Sequence, residues 1–66
     1  MRSTVKFYNK VNGYGFIINP DGEKDIFFHH SQIIGDKKTI DEGKAVEFNI
    51  VQSPKGIAAE KVMAVA

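Results

Sequence analysis

The chain has 66 residues, 42% of them hydrophobic, with no cysteine and a net charge of +1. That length makes one small domain, and the lack of cysteine excludes a disulfide framework or a cysteine-ligated zinc site. No apolar run approaches the roughly 18 residues of a membrane span and no signal peptide is visible, so a single cytoplasmic domain over 1–66 with no membrane partner is expected.

Thr4 to Val11 reads as a first strand with Val5 pointing inward. Strict alternation sends Phe7 inward too and leaves Tyr8 outside beside Lys6 and Lys10. A bulge exchanges the two rings, and the pattern alone leaves both arrangements open. Asn12-Gly13 has hairpin chemistry, because both residues tolerate positive φ. Tyr14 to Asn19 forms a second strand, with Tyr14, Phe16 and Ile18 on one face and Gly13, Gly15 and Ile17 on the other. Two glycines in a strand suggest sharp coiling and close approach of another backbone. Asn19-Pro20-Asp21-Gly22 is a turn. A third strand runs from about Asp25 to His30, with Ile26 and Phe28 directed one way and Phe27 and His29 the other.

A long connection follows, from Ser31 to Gly43. Ser31 is placed to cap a short helical turn carrying Ile33 and Ile34. Gly35-Asp36-Lys37-Lys38 reads as an exposed tip, Ile40 as the anchor of the loop to the core, and Asp41-Glu42-Gly43 as a turn. The fourth strand spans Ala45 to Gln52, with Val46, Phe48 and Ile50 inward. Ser53-Pro54-Lys55-Gly56 turns the chain into a last segment, Ile57 to Ala66. Ala58-Ala59-Glu60-Lys61 has helical propensity, but the valines and the preceding turn favour a strand. Five short strands joined by turns predict an all-β fold, a five-stranded antiparallel OB-fold barrel.

If the second and third strands pair antiparallel, Tyr14, Phe16, Phe27 and His29 share a face. A domain this small buries one face of its sheet and leaves the other in water. Grouped aromatics on a wet face mark a binding surface, and flat rings interleaved with lysines suit unpaired bases. Residues 1–20 hold Arg2, Lys6 and Lys10 and no acid, while Asp21, Glu23 and Asp25 cluster at a turn. The positive charge is therefore expected on and beside the aromatic stretch. His29 and His30, as neighbours on a strand, point to opposite faces and do not share an ion, so neither a metal nor a cofactor is expected. Nor is an enzyme: Ser31 beside His30 is not a catalytic geometry, and no helix follows Gly13-Tyr14-Gly15 to make a phosphate loop.

Asn12-Gly13-Tyr14-Gly15-Phe16-Ile17 resembles the first ribonucleoprotein motif, Lys/Arg-Gly-Phe/Tyr-Gly/Ala-Phe-Val. Ile26-Phe27-Phe28-His29 resembles the second motif as it occurs in cold-shock domains. Lys6-Phe7-Tyr8-Asn9 is similar to that family's opening Lys-Trp-Phe-Asn, and Ile40-Asp41-Glu42-Gly43 to the turn before its fourth strand. The resemblance covers nearly the whole chain, with an insertion or deletion in the 35–39 loop. It implies a cytoplasmic bacterial protein that binds single-stranded RNA and DNA by stacking bases on surface aromatics; a monomer is expected, as is a preference for pyrimidine-rich strands, whose weak self-stacking costs least to disrupt. It also implies an RNA chaperone that melts weak structure, affects transcription or translation, and is often induced by cold. Carried over residue by residue, the binding set is Lys6, Phe7, Tyr14, Phe16, Phe27, His29, His30, Lys37 and Lys55, with Lys10 and Lys38 as further phosphate contacts. The chain departs from the family pattern in four places. Phe7 stands for the usual Trp, Asn12 for Lys or Arg, and His30 for Phe, while Lys37 and Lys38 occupy a loop that often carries another aromatic. These changes imply the same kind of binding with less stacking surface. The competing reading is a small barrel of the translation-factor kind that docks on the ribosome or on a protein through the same aromatic face.

Overall fold

The structure, a computed structural model, describes residues 1–22, 24–35, 40–54 and 56–65. It contains five strands: β1 (Arg2–Asn9), β2 (Tyr14–Ile17), β3 (Ile26–His29), β4 (Ala45–Ser53) and β5 (Gly56–Ala64). They close into a barrel in the order β1-β2-β3-β5-β4. Four of the junctions are antiparallel, as expected, but β3 meets β5 in parallel, with Phe27 opposite Ala58. Among the described residues no helix is long and apolar enough to cross a membrane.

The period-2 pattern sets the interior. β3 alternates without error: Ile26 and Phe28 are fully enclosed while Phe27 and His29 face out. Val5, Ile17, Val46, Phe48 and Val62 complete the centre, and Ile40 closes it from the connecting loop. Burying these side chains removes their apolar surface from water, the main favourable term available to a chain with no cross-link.

Two bulges break the alternation. In β1, Val5 pairs Ile17 and Phe7 pairs Phe16, so Lys6 is the extra residue. Lys6 and Phe7 then both face outward, and Tyr8 turns in to stack on Phe28 at 5.7 Å and 9°. The sequence left these two arrangements open; the bulged one is realised. The turn after Ile40 supports it from behind. Lys44 O accepts from Val5 N at 2.9 Å, Gly43 N donates to Val5 O at 2.8 Å, and Glu42 Oε2 accepts from Tyr8 N at 3.3 Å. Backbone groups that a bulge takes out of the ladder need such partners.

The second bulge lies between β4 and β5. Glu47 pairs Met63 and Asn49 pairs Glu60, so Phe48 is opposed by both Lys61 and Val62. Lys61, one of the two bulged residues, takes φ 52°, a left-handed conformation uncommon for a residue that carries a Cβ. Beyond it, Asn49 and Ile50 both face out, and Ile50 is 37% exposed. The inward position expected for Ile50 is thus corrected, because period-2 reasoning does not survive a bulge.

The turns use their expected residues. Asn19 Oδ1 accepts from Asp21 N at 3.0 Å, and its Nδ2 donates to Lys24 O at 3.3 Å, so this buried amide is satisfied on both ends. Ser53 Oγ donates to Gly56 O at 2.6 Å. The short helical turn exists as a 3-10 helix over His30–Gln32, but its cap is His29, whose Nδ1 accepts from Ser31 N at 3.2 Å.

Candidate nucleic-acid interface

Three strands carry the outward aromatics, and their register aligns them. Phe7 lies opposite Phe16 and Phe16 opposite Phe27, giving one row across β1, β2 and β3. Two residues along, Tyr14 lies opposite His29, giving a second row. Ring centroids within the first row are 6.4 and 5.9 Å apart. Tyr14 bridges the rows, 6.1 Å from Phe7, 6.1 Å from Phe16 and 6.0 Å from Phe27, and is nearly coplanar with Phe27 at 25°. The rings thus buttress one another in tilted and edge-to-face pairs, the arrangement that aromatic quadrupoles favour. Phe7 and Phe27 are each 39% exposed. Tyr14, Phe16, Phe27 and His29 share a face, as their alternation predicts, and the β1 bulge adds Phe7.

Gly15 lets the β1 backbone and the Phe28 ring come close to β2. A Cβ built there would meet the Phe7 carbonyl oxygen at 2.4 Å and the Phe28 ring at 2.9 Å. A larger residue would push β1 away from β2 and separate Phe7 from Phe16.

The histidines correct a sequence-based expectation. They do not point to opposite faces: β3 ends at His29, the 3-10 turn starts at His30, and the two rings lie 4.3 Å apart at 39°. His30 N donates to Gly13 O at 2.8 Å, and a Cβ on Gly13 would lie 2.4 Å from His30 Cδ2. The imidazole therefore rests on bare glycine backbone, beside the end of the platform. Among the described residues no group of three or more metal-ligating side chains occurs.

The charges also differ from expectation. Lys6 Nζ lies 3.0 Å from Asp25 Oδ2, Lys10 Nζ 3.4 Å from Asp41 Oδ1, and Arg2 Nε 3.2 Å from Glu47 Oε2. The acid-free first twenty residues are neutralised by acids from elsewhere in the chain. These pairs are exposed, so each is worth only about 0–1 kcal/mol and a competing phosphate can displace it. Lys37, Lys38 and Lys55 lie outside the described residues.

One part of the surface was not legible in the sequence. Phe16 and Phe27 form one wall of an open cleft of about 400 Å³, completed by Ser53, Ile57 and Ala58. Those three residues come from the β4–β5 hairpin, brought to the platform by the parallel β3–β5 junction. Sequence spacing carries no signal for that junction.

The comparisons with known proteins agree with this geometry. The family model for the "Cold-shock" DNA-binding domain matches residues 1–65. The chain is 49% identical over 65 residues to the cold shock-like protein CspB of Yersinia pestis, covering 97% of this chain and 93% of that one. It is 48% identical over 65 residues to the cold shock-like protein CspI of Escherichia coli K12, with the same coverage. The solved structure of drosophila Unr CSD456 superposes with a TM-score of 0.82 over 98% of this chain and 26% of that longer one; at 22% identity this likeness speaks for the fold alone. On these matches, and on a barrel whose outer face carries both ribonucleoprotein-type motifs, the chain belongs to the cold-shock domain family, a family of nucleic-acid-binding proteins.

Proposed function

We propose that the protein binds single-stranded RNA and DNA by stacking unpaired bases on Phe7, Tyr14, Phe16, Phe27 and His29, and so acts as an RNA chaperone. The observation that carries this reading is the two-row array of outward rings spaced about 6 Å apart across three strands. Each ring offers a π-face to any base, and stacking contributes about 1–3 kcal/mol per base. Lys6, Lys37 and Lys55 supply phosphate contacts. Pyrimidine-rich strands are favoured, because their weak self-stacking is the least costly to disrupt.

Capturing unpaired segments depletes weak RNA hairpins by mass action without any fuel, which suits a cytoplasmic monomer acting under cold stress. A duplex hides its base faces, and exposing one costs unpairing energy. The test is a competition between an oligothymidine-rich strand and its blunt duplex at equal salt. The single strand is expected to win by at least about tenfold, or about 1.4 kcal/mol, since several bases must be freed. Equal affinity would mean that backbone charge is being read. Failure to bind either would leave the aromatic face as a protein-docking surface.

A further inference from the structure

We infer that a groove on the β4–β5 side of the barrel docks an acidic, extended segment of a partner protein, anchored by one apolar side chain and paired with Lys61. The groove holds about 220 Å³ and is lined by Ile34, Glu47, Phe48, Asn49, Lys61 and Met63. None of these residues belongs to β1, β2 or β3, which carry the aromatic platform. The site is therefore separate from the single-strand surface and does not rest on that reading.

The β4–β5 bulge builds the groove. Phe48 is opposed by both Lys61 and Val62, and Met63 pairs Glu47. Ile34 N donates to Val62 O at 2.7 Å, which seats Ile34 against the stretch of β5 that carries Lys61 and Met63. Ile34 and Met63 are 50% and 44% exposed, so both leave apolar surface in water for a partner to cover. The volume is below the roughly 300–1,000 Å³ of a small-molecule pocket and suits a single side chain. Met63, flexible and polarizable, adapts to the shape of what enters.

Lys61 is the second, independent observation. It holds φ 52°, a conformation that Gly or Asn adopts more readily. Strain kept at an exposed position points to a task for the side chain. Among the described residues no ion pair reaches its ammonium. Glu47, the one carboxylate lining the groove, already lies 3.2 Å from Arg2 Nε. Glu60 precedes Lys61 in β5 but does not line the groove. One uncompensated positive charge thus stands beside apolar walls, and its complement is a carboxylate next to an apolar side chain. Asn49, exposed in the same groove, can both donate to and accept from the backbone of an extended segment. A nucleic acid fits worse. Phe48 is 2% exposed and offers no ring face to a base, and one cation neutralises only one phosphate.

The test is an NMR titration of the whole, nitrogen-labelled chain with a capped peptide that has aspartates on both sides of a central leucine. Saturable shift changes are expected at Ile34, Asn49, Lys61 and Met63, and none at Phe16 or Phe27. Lys61→Asn suits the left-handed backbone, and is expected to weaken the peptide about two- to fivefold, the worth of one exposed ion pair. Replacing the leucine by serine, or the aspartates by lysines, should weaken it further. Affinity for a hexathymidylate should be the same in Lys61→Asn as in the wild type, and the peptide should stay bound in its presence. No shift change in the groove, wild-type affinity of Lys61→Asn for the peptide, or equal binding of the lysine peptide would overturn the proposal. Displacement of the peptide by hexathymidylate would overturn it too, by making the groove part of the nucleic-acid surface.

Discussion

Phe27 and Phe28 are consecutive, of one chemistry, and on one strand, yet they should respond to truncation in opposite ways. Phe28 is fully enclosed, stacked on Tyr8, with its ring edge against Gly15. Phe28→Ala removes that burial and leaves a cavity, a cost of about 3–5 kcal/mol. Total stability for a domain is about 5–15 kcal/mol, and one of this size sits toward the low end. Phe28→Ala is therefore expected to be largely unfolded at room temperature. Phe27 is 39% exposed, and its ring contacts are with Tyr14 at 6.0 Å and Phe16 at 5.9 Å. Its truncation is expected to cost about 1–2 kcal/mol of stability. At about 4–8 °C per kcal/mol for a domain of this size, the melting temperature should fall by roughly 4–16 °C. Affinity for a hexathymidylate should fall by about 1–3 kcal/mol, or some five- to 150-fold. Circular dichroism melts and calorimetric titration, run where Phe27→Ala is still folded, measure the two effects separately. Phe27→Ala unfolding the domain while binding is unimpaired in the folded fraction, or Phe28→Ala remaining fully folded, would refute the assignment of faces.

Three further substitutions follow from the same geometry. Lys61 holds φ 52° in the β5 bulge, so Lys61→Gly or Lys61→Asn should raise stability by about 0.5–1 kcal/mol, read as a higher melting temperature. Gly15→Ala drives a methyl into the Phe7 carbonyl and the Phe28 ring, and should lower stability by about 1–3 kcal/mol and weaken binding as Phe7 moves from Phe16. Asp25→Asn frees Lys6 from its 3.0 Å partner, and should tighten single-strand binding slightly on a wild-type slope that is itself shallow, about −1 to −3 in log K against log salt; a lower affinity would show that Asp25 contacts the ligand itself.

Much of the site was readable because alternation is a local property. Once Tyr14-Gly15-Phe16-Ile17 and Ile26-Phe27-Phe28-His29 are strands, their outward residues follow from the pleat, and antiparallel pairing brings Tyr14 to His29 and Phe16 to Phe27. The turn at Asn19 to Gly22 was readable for a like reason, since Asn19 bonds backbone only a few residues away. What failed was local reasoning carried across an irregularity. Ile50 was expected inside because a strand was assumed regular, and His29 and His30 were expected on opposite faces because the strand was assumed to continue.

By itself, the sequence determined which faces of β2 and β3 are wet and aromatic, which residues make the turns, and that the core needs no cross-link. These are set by side-chain polarity at period 2 and by the φ preferences of Asn, Pro and Gly, and both act over a few residues. Only the tertiary structure decided that Phe7 joins the platform and Tyr8 the core, because the β1 bulge is held by Val5, Tyr8, Glu42, Gly43 and Lys44 across more than thirty positions of chain. It also decided that Lys6 meets Asp25 and Lys10 meets Asp41, and that Ser53, Ile57 and Ala58 extend the site beside Phe27. The cleft contacts exist only once the barrel closes through β3 and β5, and the ion pairs only once residues distant in the chain are folded together.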